Sequence, residues 1–166
     1  MKRAETTIRL AHAVGESAQE VSEWMTAIWN NFDDGSKKLE YYADVLARLG
    51  AETASSADEI AAGLSKFSAV ADTVGLSYEY AAAALATLTA TTRESADVVG
   101  TAMKTLLSRM ESLKLGETLD DGTTLGKYSL ALQSVGVNIK DVNGELKDMD
   151  DILDETAIKW QTLSRD

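Results

Sequence analysis

Residues 56–90 read SADEIAAGLSKFSAVADTVGLSYEYAAAALATLTA, and this stretch decides the fold. Ser56 and Glu59 stand at capping-box spacing, in which each side chain satisfies a backbone N–H at a helix start. Ile60, Leu64, Phe67, Ala71 and Val74 follow at steps of four, three, four and three, which keeps them on one helical face. The spacing predicts a helix that runs to Gly75, placed where a left-handed C-terminal residue belongs. Ser77 can then cap a second helix through Ala90, with Tyr78, Ala81, Leu85 and Leu88 as its stripe. One helix ends and the next begins within about two residues, so the two form a tight helical hairpin.

The same punctuation extends in both directions. Upstream, Val21, Met25, Ile28 and Phe32 recur at helical steps, with Trp24 and Trp29 alongside. Asp33-Asp34-Gly35-Ser36 reads as a turn, with Ser36 as N-cap of a helix carrying Leu39, Tyr42, Leu46 and Leu49. Ile8, Ala11 and Val14 mark a weakly patterned first helix. Downstream, Ser95 opens a helix with Asp97 in its first turn and a stripe of Val99, Ala102, Leu106, Met110 and Leu113, closed by Gly116. Leu125, Tyr128, Leu132 and Val135 mark a shorter helix closed by Gly136. Val137-Asn138-Ile139 alternates, and Asn143-Gly144 favours a two-residue hairpin turn, so a small β-hairpin is expected near residues 137–147. Asp148 can cap a last helix with the stripe Met149, Ile152, Thr156, Trp160 and Leu163. The expected architecture is all-α, a compact bundle of about six to eight short helices with that one hairpin.

Composition agrees. The chain has 166 residues, no proline and no cysteine. Average usage of about 5% would supply roughly eight prolines, and proline costs about 3 kcal/mol inside a helix. Absent cysteines exclude a disulfide framework, a cysteine-ligated zinc site and a cysteine nucleophile. Residues 1–166 are read as a single helical domain. No run approaches the roughly 18 apolar residues of a membrane span, and no targeting segment is recognisable. The net charge of −11 disfavours non-specific contact with nucleic acid or anionic lipid.

Candidate chemistry is sparse. Asp33-Asp34 and Asp120-Asp121 each abut glycine, a common turn signal, and adjacent acids seldom converge on one substrate atom. Residues Asp141 to Glu155 hold seven acids and one lysine, or −6 of the net −11. A calcium loop would need glycine at its sixth position, whereas Gly144 is fourth from Asp141. His12 has no second histidine, and Trp24, Trp29 and Trp160 fall on or near apolar helix faces. Among these Trp29, beside Asn30-Asn31, is the one whose exposure would matter. No catalytic, cofactor-binding or metal-ligating residue is assigned, and no enzyme is indicated.

Read together, several blocks carry a resemblance. They are Thr26-Ala27-Ile28-Trp29-Asn30-Asn31-Phe32, Leu49-Gly50-Ala51-Glu52-Thr53 with the hairpin through Gly75-Leu76-Ser77, and Gly100 to Arg109. Val135-Gly136-Val137, Lys140 to Lys147 and the helix to Leu163 complete the order. The set resembles the core region of tail tape measure proteins of tailed bacteriophages and prophages, over residues 26–166. Two departures stand out: Thr91-Thr92-Arg93 replaces a loop that often contains glycine, and Val99 precedes Gly100 where alanine is common. The resemblance implies a structural protein, made in the bacterial host cytoplasm, that lies in the tail lumen of the virion. There it sets tail length and leaves during genome delivery. It implies tail-assembly chaperones, the tail-tube protein and the tail tip complex as partners, with several copies per tail. It also implies that the chain is a segment of a longer protein, since the family continues in helix past Trp160. The runner-up reading is a helical adaptor or scaffold module, unrelated to phage, that recognises partner helices through a groove between hairpins.

Overall fold

The computed structural model describes residues 2–162, which leaves Leu163 of the last expected stripe outside the described residues. Among these residues the chain forms nine helices and no strand. They are α1 (Lys2–Val14), α2 (Ala18–Phe32), α3 (Leu39–Glu52), α4 (Ala57–Ser65), α5 (Ser68–Val74), α6 (Tyr78–Thr92), α7 (Ala96–Lys114), α8 (Leu125–Ser134) and α9 (Met149–Trp160).

Helix α4 is the hub, with α2, α3, α6 and α7 packed around it. Its capping box forms as the spacing requires, the Ser56 N–H donating to Glu59 Oε2 at 3.1 Å. Ile60, Ala61 and Leu64 are fully buried, each leucine-sized side chain contributing about 1.5–3 kcal/mol. The approach of α4 to α7 is set by two glycines. A Cβ at Gly100 would lie 2.5 Å from the Gly63 carbonyl oxygen, and one at Gly63 would lie 2.6 Å from that of Ala96. Any larger residue would push the helices apart.

The apolar stripe from Ile60 to Val74 is continuous, but the helix beneath it is not. Residues 66–67 form a tight turn that separates α4 from α5, with the Lys66 and Phe67 N–H groups bonded three residues back. Ser65 Oγ donates to the Ala62 carbonyl at 2.7 Å, a local bond that competes with the helical ladder. This break raises the helix count above the six to eight expected. Gly75 (φ +82°) does end α5, with the Leu76 N–H reaching the Ala71 carbonyl at 2.9 Å, and Ser77 caps α6.

Ser36 is not the cap of α3. Lys38 holds that position with no side-chain bond, while the Ser36 N–H donates to Asp34 Oδ1 at 2.8 Å. The α2–α3 connection is pinned by aromatic groups instead. Trp29 Nε1 donates to the Leu39 carbonyl at 3.3 Å, and the Tyr42 hydroxyl to the Phe32 carbonyl at 2.9 Å. Tyr42 and Tyr78 meet edge to face, 4.9 Å between ring centres, in the geometry that aromatic quadrupoles favour.

The β-hairpin expected at 137–147 is absent. Lys140 and Leu146 form one isolated antiparallel bridge, and no strand develops. A two-residue Asn-Gly turn needs positive φ at both residues, but only Gly144 has it, at +84°. The Asp141 carboxylate dictates another loop: Oδ1 accepts from the N–H groups of Asn143 and Glu145, both at 2.9 Å. The turn therefore runs from Asp141 to Gly144, closed by a 3.1 Å backbone bond.

The ends of the chain are less deeply packed. On α1 the core face is Thr6, Thr7, Leu10 and Ala11, and the expected Ile8 is 60% exposed. Helix α8 buries none of its residues. Leu113, Val137, Ile139 and Ile152 are buried, and Ile139 and Ile152 line a small apolar centre with Met110 of α7, Leu125 of α8 and Met149 of α9.

Candidate interaction surface

Within the two acid pairs, Asp33, Asp34 and Asp121 bond N–H groups of their own turns. Asp33 Oδ1 accepts from the Gly35 N–H and Asp34 Oδ1 from the Ser36 N–H, the Asx geometry expected beside glycine. The Ser36 side chain and N–H hold the Asp34 carboxyl below the usual range. Asp121 is held low in the same way by Thr123, and pairs with Arg109 at 2.6 Å. Asp141 is lowered first by the Glu145 N–H and then by Asn143. Among the described residues no group of three His, Cys, Asp or Glu side chains is placed to hold a metal ion. His12 is exposed on α1.

Charge is organised more tightly where α3 meets α6. Glu79 pairs with Lys37 and accepts from the Tyr41 hydroxyl at 2.5 Å. Burial, the largest influence on Glu79, raises its pKa, but the Lys37 and Tyr41 bonds together bring it below the ordinary value. Lys37 is raised, chiefly by its bond to Glu79. Neighbouring Tyr78 lies beneath, its hydroxyl bonded to the Tyr42 carbonyl and its pKa driven far up by burial. This cluster clamps two helices together.

The tryptophans separate in an unexpected order. Trp29 is 1% exposed and Trp24 is half-buried, whereas Trp160 is 73% exposed at the end of α9. Trp29 is therefore core and Trp160 is not.

Two leucines assigned to core stripes also lie outside. Leu88 is 38% exposed and Leu106 is 49% exposed, while Leu107, absent from the expected stripe, is fully buried. Both exposed leucines line a groove between α6 and α7 that Tyr80, Ala84, Met103 and Leu153 complete. Its volume is about 510 Å³ and its walls are almost wholly apolar. The signal in the sequence was Ala81-Ala82-Ala83-Ala84: alanine on successive positions makes a helix apolar on both sides, so one side is left without a core to face.

This arrangement offers an apolar surface for binding. No helix among the described residues is long and apolar enough to cross a membrane. No curated protein and no solved structure matches the chain. A family model described as phage-related minor tail protein matches residues 1–166, the entire length. This chain therefore belongs to the family of phage-related minor tail proteins, structural components of the virion tail.

Proposed function

We propose that this chain is a folded segment of a tail tape measure protein, the component that sets tail length and is expelled with the genome. The observation carrying this reading is the ordered set of sequence blocks from Thr26 to Leu163, present in a chain of the phage-related minor tail family. As one continuous helix, 166 residues would span roughly 250 Å. Among the described residues the chain instead forms nine separate helices of 7 to 19 residues, so in this reading the ruling length resides in other parts of the protein. Its partners in this reading are the tail-assembly chaperones, the tail-tube protein and the tail tip complex, and several copies occupy the lumen. The net charge of −11 keeps the segment from adhering to DNA passing through the same tube.

The test is genetic. In-frame duplications within continuous helical stretches of the full reading frame lengthen the tail by about 1.5 Å per added residue. Duplication of residues 1–166 adds much less than that. Tails whose length ignores every such duplication overturn the ruler reading. Salt-sensitive binding of the chain to duplex DNA contradicts the charge argument.

A further inference from the structure

The α6–α7 groove has an occupant selected by charge. We propose that it docks an amphipathic helix of another protein, with leucine-type side chains seated between Leu88 and Leu106 and lysines or arginines set against Asp154 and Asp150. This goes beyond the tape measure reading and does not depend on it.

The apolar part rests on α6. Ala81, Ala82, Leu85 and Ala86 are buried in the core, while Ala83, Thr87 and Leu88 face outward beside Ala84. A helix apolar on both sides is ordinarily covered on both, and contiguous exposed apolar surface marks a binding face. On α7, Leu106 stands half-exposed next to the fully buried Leu107, so the groove's second wall is as apolar as the first. Walls of short and branched side chains suit an amphipathic helix anchored at three- and four-residue steps.

The charge part rests on α9. Leu153 lines the groove, and on the same helix Asp150 and Asp154 flank it one helical turn apart. Asp154 sits beside the Tyr80 hydroxyl, which also lines the groove. That hydroxyl is pushed up to about 12, first by burial and then by Asp154 and the charge of Asp150. Among the described residues seven ion pairs form, and neither aspartate belongs to one. Asp150 is partly engaged by the Ser77 N–H at 3.4 Å and Asp154 by the Tyr80 hydroxyl, so each carboxylate keeps acceptor capacity for a cation. A second copy of this chain would bring −11 to the same rim, whereas a basic helix meets complementary potential.

The probe is a synthetic helical peptide of about 18 residues with leucine at i, i+3, i+4 and i+7 and flanking lysines. Its affinity for the full chain is read by fluorescence anisotropy beside a scrambled peptide of identical composition. The patterned peptide binds at least about tenfold more tightly than the scrambled one. The double variant Leu88→Gln, Leu106→Gln removes most of that difference, and Asp150→Asn with Asp154→Asn weakens binding several-fold at low salt only. Both leucines are surface residues, so circular dichroism of the first variant matches the parent. Equal binding of the two peptides, or binding indifferent to the leucine changes, overturns the proposal. So does a dimer of the parent chain, seen by sedimentation, that Leu106→Gln dissociates, because the occupant is then a second copy.

Discussion

Arg93 is the one described residue other than glycine with positive φ, at 60°, and it ends α6. An L side chain in that region crowds the following carbonyl, at about 1–2 kcal/mol. It closes the Thr91-Thr92-Arg93 connection, which contains no glycine, so a residue with a side chain must hold the left-handed position. Arg93→Gly is expected to stabilise the chain by about 0.5–1 kcal/mol, the strain relieved being partly offset by added freedom in the unfolded chain. A urea midpoint that falls in this variant contradicts the strain account. Gly100 presents the opposite case. Its φ is ordinary, but the Gly63 carbonyl lies where a methyl would go, and backbone on both sides cannot yield as a flexible side chain would. Gly100→Ala should cost about 3 kcal/mol, the upper end of overpacking effects, despite alanine's better helix propensity. Thermal unfolding of the purified variant measures it, and a change under about 1 kcal/mol would show that α4 and α7 can slide apart.

Helices were legible wherever a cap and a stripe coincided. Ser77 and Ser95 each accept a hydrogen bond from a backbone N–H at the start of the helix they were read to begin. Rotation about the axis was less legible. On α7 the adjacent Leu106 and Leu107 both fit an apolar stripe, and only the position of α4 across Gly100 decides which one turns inward. The same ambiguity on the alanine-rich α6 concealed the groove, since neither face reads as polar. Loop geometry failed where a side chain competed with a turn preference, as Asp141 does with Asn143-Gly144. Helix α8 shows what the pattern alone overstates. Leu125, Tyr128 and Leu132 are spaced as a stripe, yet all remain partly exposed because only the small centre around Ile139 backs them. Amide protection follows packing more than helix content. Hydrogen exchange followed by mass spectrometry should show residues 125–134 exchanging well before α4 and α7, by opening that leaves the remaining helices intact. Equal protection of α8 and α4 would mean that the chain opens only as a unit.

Across the whole molecule two electrostatic effects oppose each other, and pH separates them. Repulsion from a net charge of −11 weakens the compact state at neutral pH and fades as pH falls toward the isoelectric point near 4.5. Against it stand carboxylates whose folded pKa values are lowered: Asp34 by the Ser36 side chain and N–H, Asp121 by the Thr123 side chain and N–H, Asp141 by the Glu145 and Asn143 N–H groups, and Glu79 by Lys37 and Tyr41. A lowered carboxylate contributes stability that is complete above its unfolded value, 3.8 for Asp and 4.5 for Glu, and lost as pH falls through the folded value. Raised Lys37 behaves in mirror image: its contribution is complete below 10.5 and lost as pH rises through a still higher folded value. The groups involved are largely exposed, so solvent screens each contribution and only their sum should be visible. The urea midpoint is therefore expected to hold or rise from pH 7 to about 4.5 and to drop below it. Salt distinguishes the two effects further. Raising ionic strength from about 20 to 300 mM at pH 7 shortens the screening length from roughly 20 Å to 6 Å, which damps repulsion between distant carboxylates more than contact pairs such as Lys37–Glu79. The midpoint should rise with salt at pH 7 and respond little near pH 4.5, where the net charge is close to zero. A midpoint that falls with salt at pH 7 would mean that the contact pairs outweigh the repulsion, and that the acidity of this chain carries no penalty in folding.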